Sequence, residues 1–262
     1  MIKKYGMISD IHENPKIIVP TLKILQDKEV NILLVNGDIG VRMKTLEQSQ
    51  SYTAYILEQI GKSGLESYIQ PGSHETIGGF HPVLNYFVKK FDNIHSVFDL
   101  ENRRVEKEDH DLVFIPGSDF LCGGQYQIGN NPEIKTGLYK TEQGPIWYEN
   151  MNDLKNNIRD SNKTIVVCHV PRKFCNLETG VDMAEFGEAE IDFILGEDLV
   201  KKNSVFPGPT AKKMSTDYPI TLKKENRGNK DLADLYKKLG IRNAISGHFH
   251  ESSHRAHDEN CY

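Results

Sequence analysis

The sequence contains no Cys-x-x-Cys pair; its cysteines, Cys122, Cys168, Cys175 and Cys261, are scattered singly. That predicts free thiols in a reducing compartment, with Cys168 as a buried strand residue. No apolar run approaches membrane-spanning length, and the opening Met1-Ile2-Lys3-Lys4-Tyr5 has no signal-peptide core, so a cytoplasmic protein with no membrane partner is expected. An excess of basic charge is also missing. The formal net charge is −5, and the molecule as a whole does not advertise nucleic-acid binding. What is present suits a soluble globular chain: 262 residues, 38% hydrophobic and 26% charged, long enough to bury a substantial core. A single α/β domain is the expectation.

Polar, metal-capable residues recur where predicted strands end. The first is Ser9-Asp10-Ile11-His12-Glu13-Asn14, between an apolar-leaning segment at 2–8 and a helical pattern at Ile18, Leu22 and Leu25. On an extended chain Asp10 and His12 would point to one side, and a carboxylate with an imidazole suits zinc, manganese or iron. A compact aliphatic run at 30–35 reads as a strand buried on both faces and ends in Asn36-Gly37-Asp38. After a predicted helix at 46–60, a strand at 65–70 ends in Pro71-Gly72-Ser73-His74-Glu75. Strands at 164–168 and 243–246 deliver His169 and Gly247-His248-Phe249-His250. Loops at the carboxyl edge of a sheet are where α/β proteins bind ligands, so the repetition of position carries more weight than any one residue.

The remaining stretches read more plainly. A helix is predicted after Pro82, with His81 as a solvated loop residue, and short strands at 94–98, 100–105 and 112–115 suggest a more antiparallel second half. His95 and His110 read as structural or surface residues, and Trp147 and Tyr148, before a helix at about 150–159, as packing. The segment 172–230 stands apart as a charged insertion or lid. Residues 178–198 hold eight acids and no Lys or Arg, whereas 201–230 hold Lys201, Lys202, Lys212, Lys213, Lys223, Lys224, Arg227 and Lys230 against Asp217 and Glu225. Two readings stand: an acidic helix with a solvated loop, or a rim whose basic part attracts anionic substrates.

Taken together, Asp10-x-His12, Gly37-Asp38, Gly72-Ser73-His74-Glu75, His169 and Gly247-His248-x-His250 resemble the calcineurin-like metallophosphoesterase superfamily, in order and spacing across nearly the whole chain. The resemblance implies a four-layer α-β-β-α sandwich with two mixed sheets and a dinuclear metal site at the strand C-terminal ends. Carried over, Asp10, His12 and His250 would hold one divalent cation, His169 and His248 the other, and Asp38 would bridge them. The cations would be Mn, Fe, Zn or Ni. Two cations about 3.5–4 Å apart neutralise phosphoryl oxygens and turn a bridging water into hydroxide near neutral pH. His74 would serve the leaving group as catalytic histidine, and Glu75 would orient His74 or a ligand.

Two positions depart from that family. Where the pattern has Gly-Asn-His, this chain has Ser73, a shorter and poorer metal ligand, which predicts a weaker second site. The chain also stops at Tyr262, soon after the last motif, with His254 and His257 expected at the surface. The implied function is a metal-dependent phosphoesterase acting on a mono- or diester, the diester favoured. A metal-dependent nuclease and a non-catalytic scaffold are the alternatives, and nucleotide, nucleic-acid, lipid-head-group and phosphoprotein esters all stay open as substrates.

Overall fold

In the computed structural model, which describes residues 4–12, 14–142, 144–175 and 180–249, the chain begins with β–α repeats. β1 (Tyr5–Ile8), α1 (Ile18–Asp27), β2 (Ile32–Asn36), α2 (Leu46–Ser63), β3 (Glu66–Gln70), α3 (Ile77–Lys90) and β4 (Ile94–Ser96) follow one another. The strands pair in parallel in the order β1-β2-β3-β4. Every residue of β2 is buried, as expected of an aliphatic strand covered on both faces.

Local signals set the helix ends. Thr45 and Gln48 form a reciprocal capping box at the start of α2, and Gly64 closes that helix in the left-handed conformation with φ 72°. α3 starts at Ile77, capped by the Thr76 hydroxyl, so it begins before Pro82 and not after it. Pro82 cannot donate to the carbonyl of Gly78. The Gln50 side chain donates to that carbonyl instead, at 2.9 Å. His81 therefore lies on a helix, edge-on to Phe98, and not in a loop.

β5 (Arg104–Glu106), β6 (Asp111–Ile115), β7 (Tyr126–Gly129), β8 (Gly137–Thr141), β9 (Gly144–Asn150), α4 (Leu154–Asn157) and β10 (Thr164–Cys168) come next. The predicted helix at 150–159 is thus a short turn of helix after a 3₁₀ segment. Further on stand β11 (Met183–Ala189), β12 (Phe193–Leu195), β13 (Asp198–Val200), β14 (Val205–Pro207), α5 (Gly208–Met214), β15 (Ile220–Asn226), α6 (Lys230–Leu239) and β16 (Asn243–Ile245). The second main sheet has the order β16-β10-β6-β5, and only β5 runs antiparallel. The expected antiparallel character appears at that β5–β6 pair and in the smaller sheets, such as the β8–β9 and β11–β15 pairs.

The described residues divide into two compact units, 4–171 with 234–248 and 172–233 with 249. In the first, Leu33, Val35 and Ile69 join Ile18, Ile56, Ile60 and Leu84 in a core between the first sheet and its helices. The opposite face carries Ile32, Leu34 and Tyr68, which cluster with Leu112, Phe114 and Val167 from the second sheet. The sheets therefore pack face to face, and the result is a mixed α/β fold. His95 stacks on Tyr68 and His110 meets the Tyr5 hydroxyl at 2.7 Å, both structural, while Trp147 packs against the first core.

The second unit overturns the expectation of an acidic helix. Two of its acids, Glu185 and Glu188, sit on β11, paired in antiparallel register with the basic strand β15, Glu185 opposite Lys224 and Glu188 opposite Thr221. Lys212 and Lys224 reach Glu185 at 2.8 and 3.6 Å, and Lys223 reaches Glu188 at 3.0 Å. By strand alternation the Glu185–Lys224 and Glu188–Lys223 pairs lie on opposite faces of this sheet, each worth little but matched across the strands. The buried Asp182 carboxylate accepts from the Phe174 and Gly228 amides at 3.0 and 3.2 Å. Cys122 and Cys168 are free and Cys168 is buried, but Cys175 is disulfide-bonded, contrary to the expectation of free thiols. Pairing depends on Cα approach in the fold, which spacing along the chain does not report.

Candidate metal centre

Five strand ends of the first unit deliver the predicted residues: β1 to Asp10 and His12, β2 to Asp38, β3 to Ser73–Glu75, β10 to His169 and β16 to His248. The chain is not extended there. Asp10, His12, Asp38 and His248 all have left-handed backbone, with φ of 56°, 48°, 53° and 74°. Each such residue costs about 1–3 kcal/mol, so surrounding bonds must hold it. The Asp10 amide donates to Gly37 O at 3.1 Å, and the Ile11 and His12 amides donate to Asp38 O at 2.9 and 3.2 Å. Tyr52 adds its hydroxyl to the His12 carbonyl. Gly37 and Gly72 let the loops touch. A Cβ on Gly37 would lie 2.6 Å from the Gly72 Cα, and one on Gly72 would lie 2.5 Å from Asp38 Oδ1.

Asp38 is the hub. It is buried, and its Oδ1 accepts from the Ser73 and His74 amides at 2.6 and 2.9 Å. Its Oδ2 accepts the Ser73 hydroxyl at 2.7 Å and lies 3.1 Å from His169 Nε2. Burial opposes its ionisation, but the His169 charge and hydrogen bond, helped by His74 and Ser73, hold the carboxyl well below the usual carboxylate range. Glu75 works on the same loop from behind. Its carboxylate accepts from the Asp38, Ile39, Gly40 and Gly72 amides at 3.2, 2.8, 2.8 and 2.8 Å. It therefore orients the ligand loop and not His74. Burial, and then the Asp38 charge, push its carboxyl up to about 8.

His169 is wholly buried, and its Nδ1 lies 2.8 Å from the Asn36 carbonyl oxygen. A carbonyl can only accept, so Nδ1 carries the proton and Nε2 faces Asp38. Burial opposes charging this ring, but the Asp38 carboxylate outweighs it, with Asp10 adding to the effect, and the pKa rises to about 9. His248 Nδ1 stands 3.2 Å from His169 Nε2, and the His248 amide donates to both Asp10 oxygens at 3.2 and 3.1 Å. Asp10 Oδ1 lies 4.0 Å from His169 Nε2 and 3.8 Å from His12 Nε2. The Ser9 hydroxyl also binds Asp10 Oδ2. His12 and His74 meet edge-to-face at 4.6 Å, and His74 Nε2 is 4.0 Å from Asp38 Oδ2.

Among the described residues two sets of donor atoms, each within 4.8 Å of one another, emerge: His12, Asp38 and His74; and Asp38, His169 and His248. Asp38 belongs to both. Imidazole nitrogens and carboxylate oxygens converging on an anionic hub fit a borderline divalent cation such as Mn, Fe, Zn or Ni. The structure thus brings together Asp10, His12, Asp38, Ser73, His74, Glu75, His169 and His248, whereas His250, His254 and His257 lie outside the described residues. Ser73 is placed against Asp38, as a donor to its carboxylate.

Sequence reading missed Tyr52, which supports His12 from α2, and a groove of about 810 Å³ beside it. That groove is lined by Arg42, Met43, Lys44, Glu47, Gln48, Ser51 and Tyr52. The only signal in the chain was the pair of cations, Arg42 and Lys44, soon after Asp38.

Comparison with known proteins agrees with this geometry. Among solved structures, TT1561 of Thermus thermophilus aligns with a TM-score of 0.53 at 9% identity, covering 94% of this chain and 81% of that one. A second crystal structure aligns with a TM-score of 0.52 at 14% identity, covering 95% and 85%. At such identities the likeness shows the fold alone. A comparison with curated proteins finds no sequence match. The profile of the Metallophos family, calcineurin-like phosphoesterase, matches residues 3–252, and a family of metal-dependent phosphoester hydrolases accounts for the cluster at these strand ends. The chain belongs to the calcineurin-like phosphoesterase family.

Proposed function

We propose that this chain hydrolyses a phosphate ester, a diester in preference to a monoester, with two divalent cations sharing Asp38. The supporting observation is that Asp38 belongs to both sets of convergent donors. Asp10, His12 and His250 would complete one site, and His169 and His248 the other. When bound, such cations neutralise the phosphoryl oxygens and acidify a water to serve as nucleophile near neutral pH.

The chain's own groups divide the remaining work. The Ser73 and His74 amides hold Asp38 Oδ1, which leaves Oδ2 turned toward His169. Ser73 spends its hydroxyl on Asp38, so it is a weak substitute for an amide ligand, and the second cation should bind less tightly than the first. His74 keeps 28% of its side chain exposed beside Asp38, where it can hand a proton to the departing ester oxygen. The groove lined by Arg42, Lys44 and Tyr52 would seat the esterified group, its cations favouring an anionic substrate. In this reading α4, which packs on β6, contributes to an outer helical layer and so to the four-layer order.

The test is a panel of mono- and diesters offered to chelator-stripped protein, with Mn²⁺, Zn²⁺ or Ni²⁺ restored singly. Turnover should need the cation, and diesters should be cleaved faster. Protein that binds these cations and cleaves no ester in the panel would favour a scaffold.

A further inference from the structure

Behind His169 lies a buried pair of amides outside both donor sets. Asn36 ends β2, Gln70 ends β3, and the two are register partners. Both are 0% exposed. Gln70 Nε2 donates to Asn36 Oδ1 at 2.5 Å and to Val167 O at 3.3 Å. Asn36 Nδ2 donates to Cys168 O at 3.1 Å. Val167 and Cys168 are the last residues of β10, so these bonds run from one sheet to the other and end one residue before His169. The His169 ring closes the circuit by donating Nδ1–H to Asn36 O at 2.8 Å.

Packing alone does not call for amides here. Alternate residues on the same strand faces, Ile32, Leu34 and Tyr68, are members of the core between the sheets. An apolar side chain at 36 or 70 would continue that pattern. Moreover, Gln70 Oε1 is buried with no hydrogen-bond partner among the described residues. An unpaired buried oxygen is destabilising, so its retention points to a geometric role.

We infer that Asn36 and Gln70 are positioning residues that fix the end of β10 so that His169 presents Nε2 to Asp38 and His248. On that basis they set the cation affinity of that half of the centre, and the inference rests on the proposed metal-dependent function. Partners of this kind, one step removed from a ligand, typically change metal affinity by about 10–100-fold when lost.

The experiment compares the natural protein with Asn36→Leu, Gln70→Met and the double variant Asn36→Leu/Gln70→Leu. Each is stripped with chelator, melted without metal and titrated calorimetrically with Mn²⁺. Asn36→Leu should weaken one of two binding events by about 10–100-fold and leave the other as in the natural protein. Gln70→Met, which keeps the Asn36–Cys168 bond, should weaken the same event less, and it serves if Asn36→Leu does not fold. The double variant removes both amides, so its metal-free Tm should recover toward the natural value while the weakened event stays weak. Recovery of affinity together with Tm would overturn the inference, as would single variants that bind both cations like the natural protein. Failure of the unmutated protein to bind any cation would instead sink the functional reading, and it is seen before any variant is compared.

Discussion

Replacing Asp38 by asparagine removes one charge and little else. An asparagine carbonyl at Oδ1 can still accept from the Ser73 and His74 amides, now at 2.6 and 2.9 Å. The new NH₂ would stand where Oδ2 lies 2.7 Å from the Ser73 hydroxyl and 3.1 Å from His169 Nε2, and both atoms can accept from it. Losing one partner of a buried ion pair costs up to about 3–5 kcal/mol, less where the other partner gives up its charge as His169 can, so metal-free stability should fall within that range. The cations lose far more. A unit charge about 4 Å from another at an effective dielectric near 20 is worth about 4 kcal/mol, or about three decades in affinity. Asp38→Asn should therefore fold but melt below the natural protein in chelator, take up cation at least about 10³-fold more weakly, and show no turnover at the metal concentration that saturates the natural protein. Calorimetry and an ester-hydrolysis assay on the same preparations check this. A folded variant with natural turnover and natural metal content would refute the role given to Asp38.

Other perturbations bear on separate parts of the site. His74→Ala should keep the cation beside His169 and His248 and lose about 10²–10⁴-fold in turnover, with a smaller loss for nitrophenyl esters; loss of the cation beside His12 would make His74 a ligand, since it belongs to that donor set, and equal loss for good and poor leaving groups removes it from the proton-donating role. Gly72→Ala puts a Cβ 2.5 Å from Asp38 Oδ1 and 2.8 Å from the His169 ring, so Tm and cation affinity should both fall, and a natural Tm would contradict the close approach. Ser73→Asn should tighten the weaker cation and lower the metal concentration for half-maximal activity; two equally tight sites in the natural protein would show Ser73 to be fully compensated. In metal-free protein the folded state binds more protons than the unfolded one from about 4.5 to 8 through Glu75 and from about 6.5 to 9 through His169. Metal-free Tm should then fall as pH rises across those windows, and the stabilisation by added cation should grow; a Tm that climbs from pH 5 to 9 in chelator contradicts these shifts.

The parts of this protein legible in the sequence are those in which one residue type has one physical reason to recur. The aliphatic run at 30–35 read as a strand buried on both faces, which β2 is, and Asp or His after several such runs marked one sheet edge. What stayed hidden depends on three-dimensional neighbours. Glu75 read as orienting His74 or a ligand; it takes the ligand side through four backbone amides of the Asp38 and Gly72 loops, and backbone donors leave no trace in composition. The extended geometry expected at Asp10-x-His12 gave way to left-handed backbone because the loop folds back onto Gly37 and Asp38. Of the two readings of the acidic stretch, the helix was wrong because its cross-strand partners on β15 lie more than thirty residues away, as Lys223 is from Glu188. Asn36 and Gln70 were visible only as polar ends of apolar strands.

The central claim is that two cations share Asp38 at the strand ends. Crystals of the chelator-stripped protein soaked in Mn²⁺, with diffraction recorded at the manganese absorption edge, test it most directly. Two anomalous peaks are expected, both within coordination distance of the Asp38 carboxylate, one also beside His169 and His248 and the other beside Asp10 and His12. A single peak that does not touch Asp38, or manganese bound only elsewhere, would contradict it.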